Sequence, residues 1–465
     1  MKKWIKPGVQ LAILLTFLAF AASTFAKENK PNIIYIMLDD AGYGDLNTDE
    51  SRTVKTPSFA RMAREGMIFH NHYSGSAVCA PTRCVLMTGK HSGNCRRRDN
   101  TAKAYQKELG KRPLVFLRDE DVTIAEMLKG AGYKTCGIGK WGLGNPGSPG
   151  VPEKQGFDRW YGYLDQVHAH NHYTDYLWDG GKRIDLPGNK DGKKETYVHD
   201  LFEKETLNYI RENKDGPFFL YLAYTLPHGK YVIPENDVAS RHYKNLDLPS
   251  QAKSFAAMVT RADQTVGKIL DLLSELNIDD NTVVFYTSDN GPNQPFVKPL
   301  DSAGGLRGIK RKLYEGGIRA KLVVRWPKKI AANSESKFIC DMRDFFSTAC
   351  ELAGAQPEAN DGVSMVPALL GKEFPERKAL YWEIHSPFHQ AVRMGNWKAV
   401  RWGTENSIEL YDLAKDPGEK NDVSKGYPKV IAEVKKVLDN SRSENKYWPA
   451  KPRTKVKKRS PNSKK

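Results

Sequence analysis

Asp39-Asp40 and Asp289-Asn290 each close an apolar run, and four oxygen donors of this kind suit a hard divalent cation, Ca²⁺ or Mg²⁺. Adjacent carboxylates repel unless something positive lies between them, although each pair taken alone reads equally well as a turn after a strand. Cys79 opens the stretch Cys79-Ala80-Pro81-Thr82-Arg83-Cys84-Val85-Leu86-Met87-Thr88-Gly89. Lys140 lies in Gly139-Lys140-Trp141-Gly142-Leu143-Gly144, Lys310 in Arg307-Gly308-Ile309-Lys310, and His228 in Leu226-Pro227-His228. A sulfur nucleophile, three cationic side chains and an imidazole are the parts of a displacement in which charge must be neutralised and a proton delivered. Each also has a plainer reading. Cys79 could pair with Cys84 or Cys95, a lone lysine is commonly a solvated charge, and a strand-end histidine can be a satisfied structural group.

The stretch from Cys79 to Gly89 matches the Cys-x-Pro-x-Arg-x-x-x-x-Thr-Gly pattern of the type I sulfatases, five identities at fixed spacing. The chain resembles that family from Pro31 to about Val423, and resembles its bacterial, exported, arylsulfatase-like carbohydrate sulfatases in particular. The resemblance implies an alkaline-phosphatase-like fold and hydrolysis of sulfate monoesters on a sulfated carbohydrate. A maturation enzyme would convert Cys79 to formylglycine, whose hydrated aldehyde is the family nucleophile. It further implies that Asp39, Asp40, Asp289 and Asn290 hold a divalent cation, Ca²⁺ or Mg²⁺. Arg83 would support the formylglycine, Lys140 and Lys310 would bind the sulfate, and His228 would stand by the leaving oxygen. A sulfate ester needs such help, because its own negative oxygens repel a nucleophile.

One position departs from the pattern. Many relatives carry histidine where this chain has Gly142, and that histidine is linked to breakdown of the sulfated intermediate. The cluster His168-Ala169-His170-Asn171-His172 offers a replacement, with His170 first and His172 beside it as a substrate contact. The same superfamily contains phosphonate and phosphodiester hydrolases, which share the nucleophile and metal site. A third reading is an inactive sulfatase-like binder of sulfated polysaccharide, for which Gly142 is the one supporting residue.

The elements that must position these groups are legible as runs. Ile33 to Leu38, Cys136 to Gly139, Phe218 to Tyr224 and Val283 to Tyr286 are continuous and apolar, as strands buried on both faces are. Helical patterns at Thr123–Ala131 and Gln251–Leu276 lie between them. The fold class expected is α/β, a large mixed and mostly parallel sheet sandwiched by helices, with ligands beyond the carboxyl ends of the strands. The catalytic domain is expected over 27–370. A small antiparallel sheet with a helix is expected over 371–448, from runs at Ala379–Ile384, Gln390–Met394, Trp397–Trp402 and Ile408–Leu413 and a helix near Lys429–Ser441. His385 and His389 would sit in its hairpin and could close over a substrate pocket. Trp160, Tyr161, Tyr163, Tyr173, Tyr176 and Trp178 offer ring faces on which sugars could stack.

Residues 1–26 read as a secretory signal: Lys2, Lys3 and Lys6, an apolar run from Leu11 to Ala22, then Thr24-Phe25-Ala26. A periplasmic or secreted protein with no stable membrane anchor after cleavage follows. The net charge of +17 falls to +6 once the three positives of that signal and the eight of the tail 449–465 are set aside. The tail carries no acid and almost nothing apolar, so it reads as a basic, disordered segment. A merely solvated tail is the plainer reading; of the polyanions it could bind, export makes an anionic glycan the one to test and leaves no nucleic acid to expect. Six cysteines leave disulfide pairing open, and conversion of Cys79 would make the remainder odd.

Overall fold

The computed structural model describes residues 30–450; the signal and the tail from Lys451 onward lie outside the described residues. Ten strands form one sheet: β1 (Asn32–Asp39), β2 (Met67–Phe69), β4 (Lys134–Lys140), β5 (Arg159–Tyr163), β6 (Tyr176–Asp179), β7 (Lys182–Asp185), β8 (Phe218–Pro227), β9 (Thr282–Ser288), β10 (Leu322–Arg325) and β11 (Ser334–Ser336). Their order is β11-β2-β10-β9-β1-β8-β4-β5-β6-β7. The five central strands, β9-β1-β8-β4-β5, are parallel, and antiparallel pairs extend both edges. Two further strands, β3 (His72–Tyr73) and β12 (Cys340–Asp341), pair by themselves.

All eight residues of β1 are buried, and they alternate between two cores. Ile34, Ile36 and Leu38 face a core completed by Phe59, Phe202, Phe255, Val259 and Ile269 from helices Pro57–Glu65, Val198–Asn213 and Ser250–Glu275. Ile33, Tyr35 and Met37 face the other, with Val85, Ile124, Leu128 and Phe345 from helices Cys79–Thr88, Ile124–Gly130 and Asp344–Ala353. Each such aliphatic side chain contributes about 1.5–3 kcal/mol by leaving water. Burial on both faces is why β1 shows no polar alternation, and this sandwich is the α/β class the runs imply.

Local signals fix the flanking helices. Thr123 accepts the Glu126 N–H while Glu126 receives the Thr123 N–H, a capping box that starts Ile124–Gly130. Helix Pro57–Glu65 is capped from a distance, because the Asp263 carboxylate accepts the N–H groups of Ser58 and Phe59 at 2.7 and 2.9 Å.

The C-terminal strands β13 (Leu380–His385), β14 (Phe388–Met394), β15 (Trp397–Trp402) and β16 (Ile408–Asp412) form an antiparallel meander. One face packs helix Pro428–Asn440 through Val392, Leu410, Val434 and Leu438. The other carries Trp382, Ile384 and Val400 against Val78, Leu313 and Ile318 of the large domain. The small sheet therefore rests on the two segments that deliver Cys79 and Lys310. Two side-chain expectations change here. Trp160 and Tyr163 are wholly buried core residues, and His389 is buried with its ring stacked on Trp402 at 4.1 Å, so none of the three faces a ligand. Among the described residues no helix is long and apolar enough to cross a membrane.

Candidate active site

The parallel register brings the carboxyl ends of β1, β4, β8 and β9 level, with Leu38 opposite Ser288 and Asp39 opposite Pro227. Asp39 ends β1. Asp40 follows with φ +71°, a left-handed turn that aspartate tolerates, and the chain leaves the sheet there. Asp289 and Asn290 follow β9, Lys140 ends β4 and His228 follows β8. Cys79 begins helix Cys79–Thr88, and Arg83 is one turn along it.

These groups converge. Cys79 Sγ lies 3.3 Å from Asp39 Oδ1 and 3.4 Å from Lys310 Nζ. Lys310 Nζ also donates to both oxygens of Asp40, at 2.6 and 2.8 Å. Lys140 pairs with Asp39. Arg83 reaches Asp39 Oδ2 at 3.3 Å, Asp289 Oδ2 at 3.1 Å and the Lys140 carbonyl at 2.6 Å. His228 Nε2 lies 3.4 Å from Asp40 Oδ2. The Asp40 N–H donates to Asp289 Oδ1, and Asn290 Nδ2 donates to Asp40 Oδ1.

The electrostatics follow from burial opposed by these pairs. Burial pushes Asp39 up, but Lys140 and Arg83 outweigh it and hold the carboxyl well below its ordinary range. Asp289 goes the other way, raised to about 7 by burial and by the Asp39 charge. Burial, then Asp39, pushes the Cys79 thiol up to about 12. An unmodified thiol held neutral in this way is a poor nucleophile. Burial and the neighbouring lysines bring His228 down to about 3, so its imidazole is neutral in the free protein.

Asp39, Asp40, Cys79 and His228 present potential ligand atoms all within 4.8 Å of one another. Asp289 lies outside that group of four, while Asn290 beside it has a buried Oδ1 with no hydrogen-bond partner. Carboxylate oxygens and a free amide oxygen are the donor set of a hard cation, so the residues present fit Ca²⁺ or Mg²⁺.

The histidine cluster divides. His170 packs its ring edge-on against His228 at 4.4 Å, at the rim of the site. His172 is fully buried and its Nε2 meets the His228 carbonyl at 2.8 Å, so it braces His228 from beneath, while its Nδ1 has no hydrogen-bond partner. His168 sits between Tyr163 and Tyr176 with Nε2 on Thr174. Gly142 has φ +81°, and a Cβ placed there would lie 1.7 Å from Gln166 Nε2. The Gln166 amide thus occupies the volume a side chain at 142 would enter, and its Nε2 is buried without a partner.

Two contributors carried no signal strong enough to single out. Asn293 donates to Asp40 Oδ2 at 2.7 Å, three residues beyond Asn290 in the same turn. Asn100 accepts the Ala80 N–H at 3.1 Å beside the start of the Cys79 helix. All six cysteines are free and buried, so Cys79 has neither Cys84 nor Cys95 as a disulfide partner.

A helix-sandwiched mixed sheet with a buried thiol, cations and carboxylates at its carboxyl ends is an alkaline-phosphatase-like arrangement. Residues 31–355 match the Sulfatase family model, and residues 308–444 match the model described as N-sulphoglucosamine sulphohydrolase, C-terminal. The N-acetylgalactosamine-6-sulfatase of Canis lupus familiaris is 32% identical over 440 residues, covering 88% of this chain and 79% of that protein. The N-acetylgalactosamine-6-O-sulfatase of Bacteroides thetaiotaomicron is 29% identical over 492 residues, covering 88% and 93%. A solved structure of Ps i-CgsB in complex with k-i-k-neocarrahexaose superposes with a TM-score of 0.77 at 28% identity, over 88% of this chain and 92% of that one. The chain belongs to the formylglycine-dependent sulfatase family and is a sulfatase-type hydrolase.

Proposed function

We propose that this protein is an exported carbohydrate sulfatase that works through a formylglycine made from Cys79 by a maturation enzyme. The observation that carries the reading is the contact of one buried sulfur with Asp39 and Lys310 at the focus of Arg83, Lys140 and His228. A sulfated sugar as substrate is supported by relatives named as N-acetylgalactosamine-6-sulfatases and by the neocarrahexaose bound to a solved relative. Export rests on the signal-like residues 1–26.

Formylglycine, once formed, supplies a hydrated aldehyde oxygen as nucleophile towards sulfur. Asp39, Asp40, Asp289 and Asn290 would hold a Ca²⁺ or Mg²⁺, which supplies positive charge against the sulfate oxygens. The protein's own side chains do the rest. Lys140 and Lys310 bind the non-reacting sulfate oxygens, and Arg83 offsets the carboxylate charge behind the nucleophile. His228 delivers a proton to the departing sugar oxygen, helped by Lys310. Burial and the lysines hold His228 neutral in the free protein, and the arriving sulfate charge raises its proton affinity. His170, against His228, is the base for the second half of the reaction, the task relatives give to a histidine at position 142.

The test is the mass of the Cys79 peptide from protein made in its own host, with thiols alkylated, together with sulfate release from glycans. An aldehyde at position 79 and released sulfate are expected. An alkylated thiol with salt-sensitive glycan binding would replace the enzyme by a binding protein. Faster turnover of an aryl phosphonate than of an aryl sulfate would move the activity to phosphonate esters. Unchanged turnover in His170→Ala would remove His170 from the mechanism.

A further inference from the structure

A cleft of about 510 Å³ lies outside the cluster of charged groups described above, with His385 of the small-sheet hairpin in its wall. Its walls come from three separate stretches: 101–104, the β13–β14 hairpin at 385–388, and 447–449. Its first wall adjoins a contact to the start of the Cys79 helix. Asn100, which accepts the Ala80 N–H, immediately precedes Thr101 of the wall, and Asp99 accepts the His385 N–H at 3.2 Å.

The walls are braced from behind. Trp448 Nε1 donates to the Arg96 carbonyl at 2.8 Å, and the Trp448 carbonyl accepts from Arg442 at 2.6 Å. His385 is held to Glu383, whose charge Arg98 and Arg442 also meet. The lining mixes ring and proline faces (Tyr447, Pro387, Pro449) with the Thr101 and Ser386 hydroxyls. It contains no acidic residue. Lys103 is exposed on its rim and makes no ion pair among the described residues. Apolar faces edged by hydroxyls match a pyranose ring, and an uncompensated ammonium favours an anionic one.

We propose that this cleft is a second binding region, taking further sugars of an anionic glycan chain whose terminal or internal sulfated unit occupies the reaction centre. The inference rests on the carbohydrate-sulfatase reading and deepens it, turning a monosaccharide site into one that recognises chain length. Braced walls mean little ordering cost when the chain binds.

The test separates binding from turnover. Full-length Cys79→Ala protein is titrated calorimetrically with chondroitin sulfate and carrageenan oligosaccharides of increasing length. Affinity for at least one ladder is expected to rise about tenfold from the shortest to the longest member. Ala104→Trp, which fills the cleft from an exposed position, removes that rise. Lys103→Glu lowers it about fivefold, the effect of one exposed ionic contact. Affinity independent of length in both ladders overturns the proposal, as does a rise that survives both substitutions. Ala104→Trp and Lys103→Glu in the Cys79 protein keep full turnover of 4-nitrophenyl sulfate, which shows that they fold. Sulfate release from the shortest oligosaccharide by the unaltered protein is scored separately. Its absence would sink the hydrolase reading while leaving the length-dependent binding result standing.

Discussion

Gly142→Ala is the smallest change that tests whether the Gln166 amide fills the volume beside position 142. Position 142 has φ +81°, where a non-glycine residue costs about 1–2 kcal/mol. The new methyl would also lie 1.7 Å from Gln166 Nε2, 2.6 Å from its Cδ and 2.9 Å from its Cγ, so the whole amide must swing away. Gln166 Nε2 has no hydrogen-bond partner to lose, and displacing the side chain costs about 1–2 kcal/mol in packing. The single variant is therefore expected to lose about 2–4 kcal/mol in urea denaturation, read as a lower midpoint at unchanged slope. Gln166→Ala deletes all three clashing atoms but leaves the backbone angle. The double variant should then recover about 1–2 kcal/mol relative to the sum of the singles. Gly142→His meets the same two obstacles and is accommodated only together with Gln166→Ala. A neutral Gly142→Ala, or strictly additive losses in the double variant, would refute the idea that Gln166 fills this volume.

Two further predictions concern charges outside the reaction centre. Lys398 Nζ lies between Glu315 Oε1 at 3.0 Å and Glu419 Oε1 at 3.2 Å, all three side chains fully buried between the small sheet and the Lys310 segment. Lys398→Met leaves Glu419 without a cationic partner, while Glu315 keeps Arg319 and the Tyr73 hydroxyl, and should cost about 3–5 kcal/mol at pH 8. Burial and Glu315 already raise Glu419 to about 7 against the opposing pull of Lys398, so in the variant more protons bind to the native state and the loss shrinks as pH falls. A loss that is uniform from pH 5 to pH 8 would contradict this. Glu203 behaves oppositely: burial raises it, but Lys268 and Arg261 prevail and bring it from 4.5 down to about 2. Its stabilisation is complete above about pH 5 and is lost as pH falls towards 2, about 1–2 kcal/mol after solvent screening. Acid denaturation of Glu203→Gln should be correspondingly less steep, and coincident curves would show that the pair contributes nothing.

The parts legible from sequence were those in which one local pattern has one structural solution. A six-residue apolar run, Ile33 to Leu38, ending in Asp39-Asp40 is buried on both faces as a central parallel strand, and the strand-end rule then places its acids beside Asp289-Asn290. The C-terminal meander was equally readable: runs expected at Trp397–Trp402 and Ile408–Leu413 became strands Trp397–Trp402 and Ile408–Asp412. What escaped depends on where side chains meet across the fold. Trp160 and Trp178 lie in neighbouring strands, yet Trp160 is wholly buried against Trp141 and Phe157 while Trp178 is half-exposed, a difference set by the layer above and not by residue type. His170 and His172 are two positions apart, and the turn between them sends one to the rim and the other beneath the His228 carbonyl.

The same limit explains why the role of the small sheet could not be read residue by residue. Glu315 stands in the glycine-rich segment after Lys310, Lys398 in β15, and Glu419 in the turn Asp416-Pro417-Gly418-Glu419. In sequence these are a charge in a loop, a charge in a strand and a turn former. In the fold, Glu419 Oε2 accepts the Glu315 N–H at 2.7 Å, and the Glu419 carbonyl accepts from Arg307 at 2.8 Å. Lys310 is bracketed by those two contacts, at Arg307 and Glu315, and its own N–H is fixed to the Pro292 carbonyl at 3.0 Å. A lysine that must hold its ammonium near both a carboxylate and the nucleophile cannot ride on a free loop, since a shift of about 1 Å in such a group can cost a hundredfold in rate. On the proposed mechanism the small sheet supports catalysis through the segment it grips. Loosening that grip at Glu419 should lower kcat before it raises KM for a small aryl sulfate.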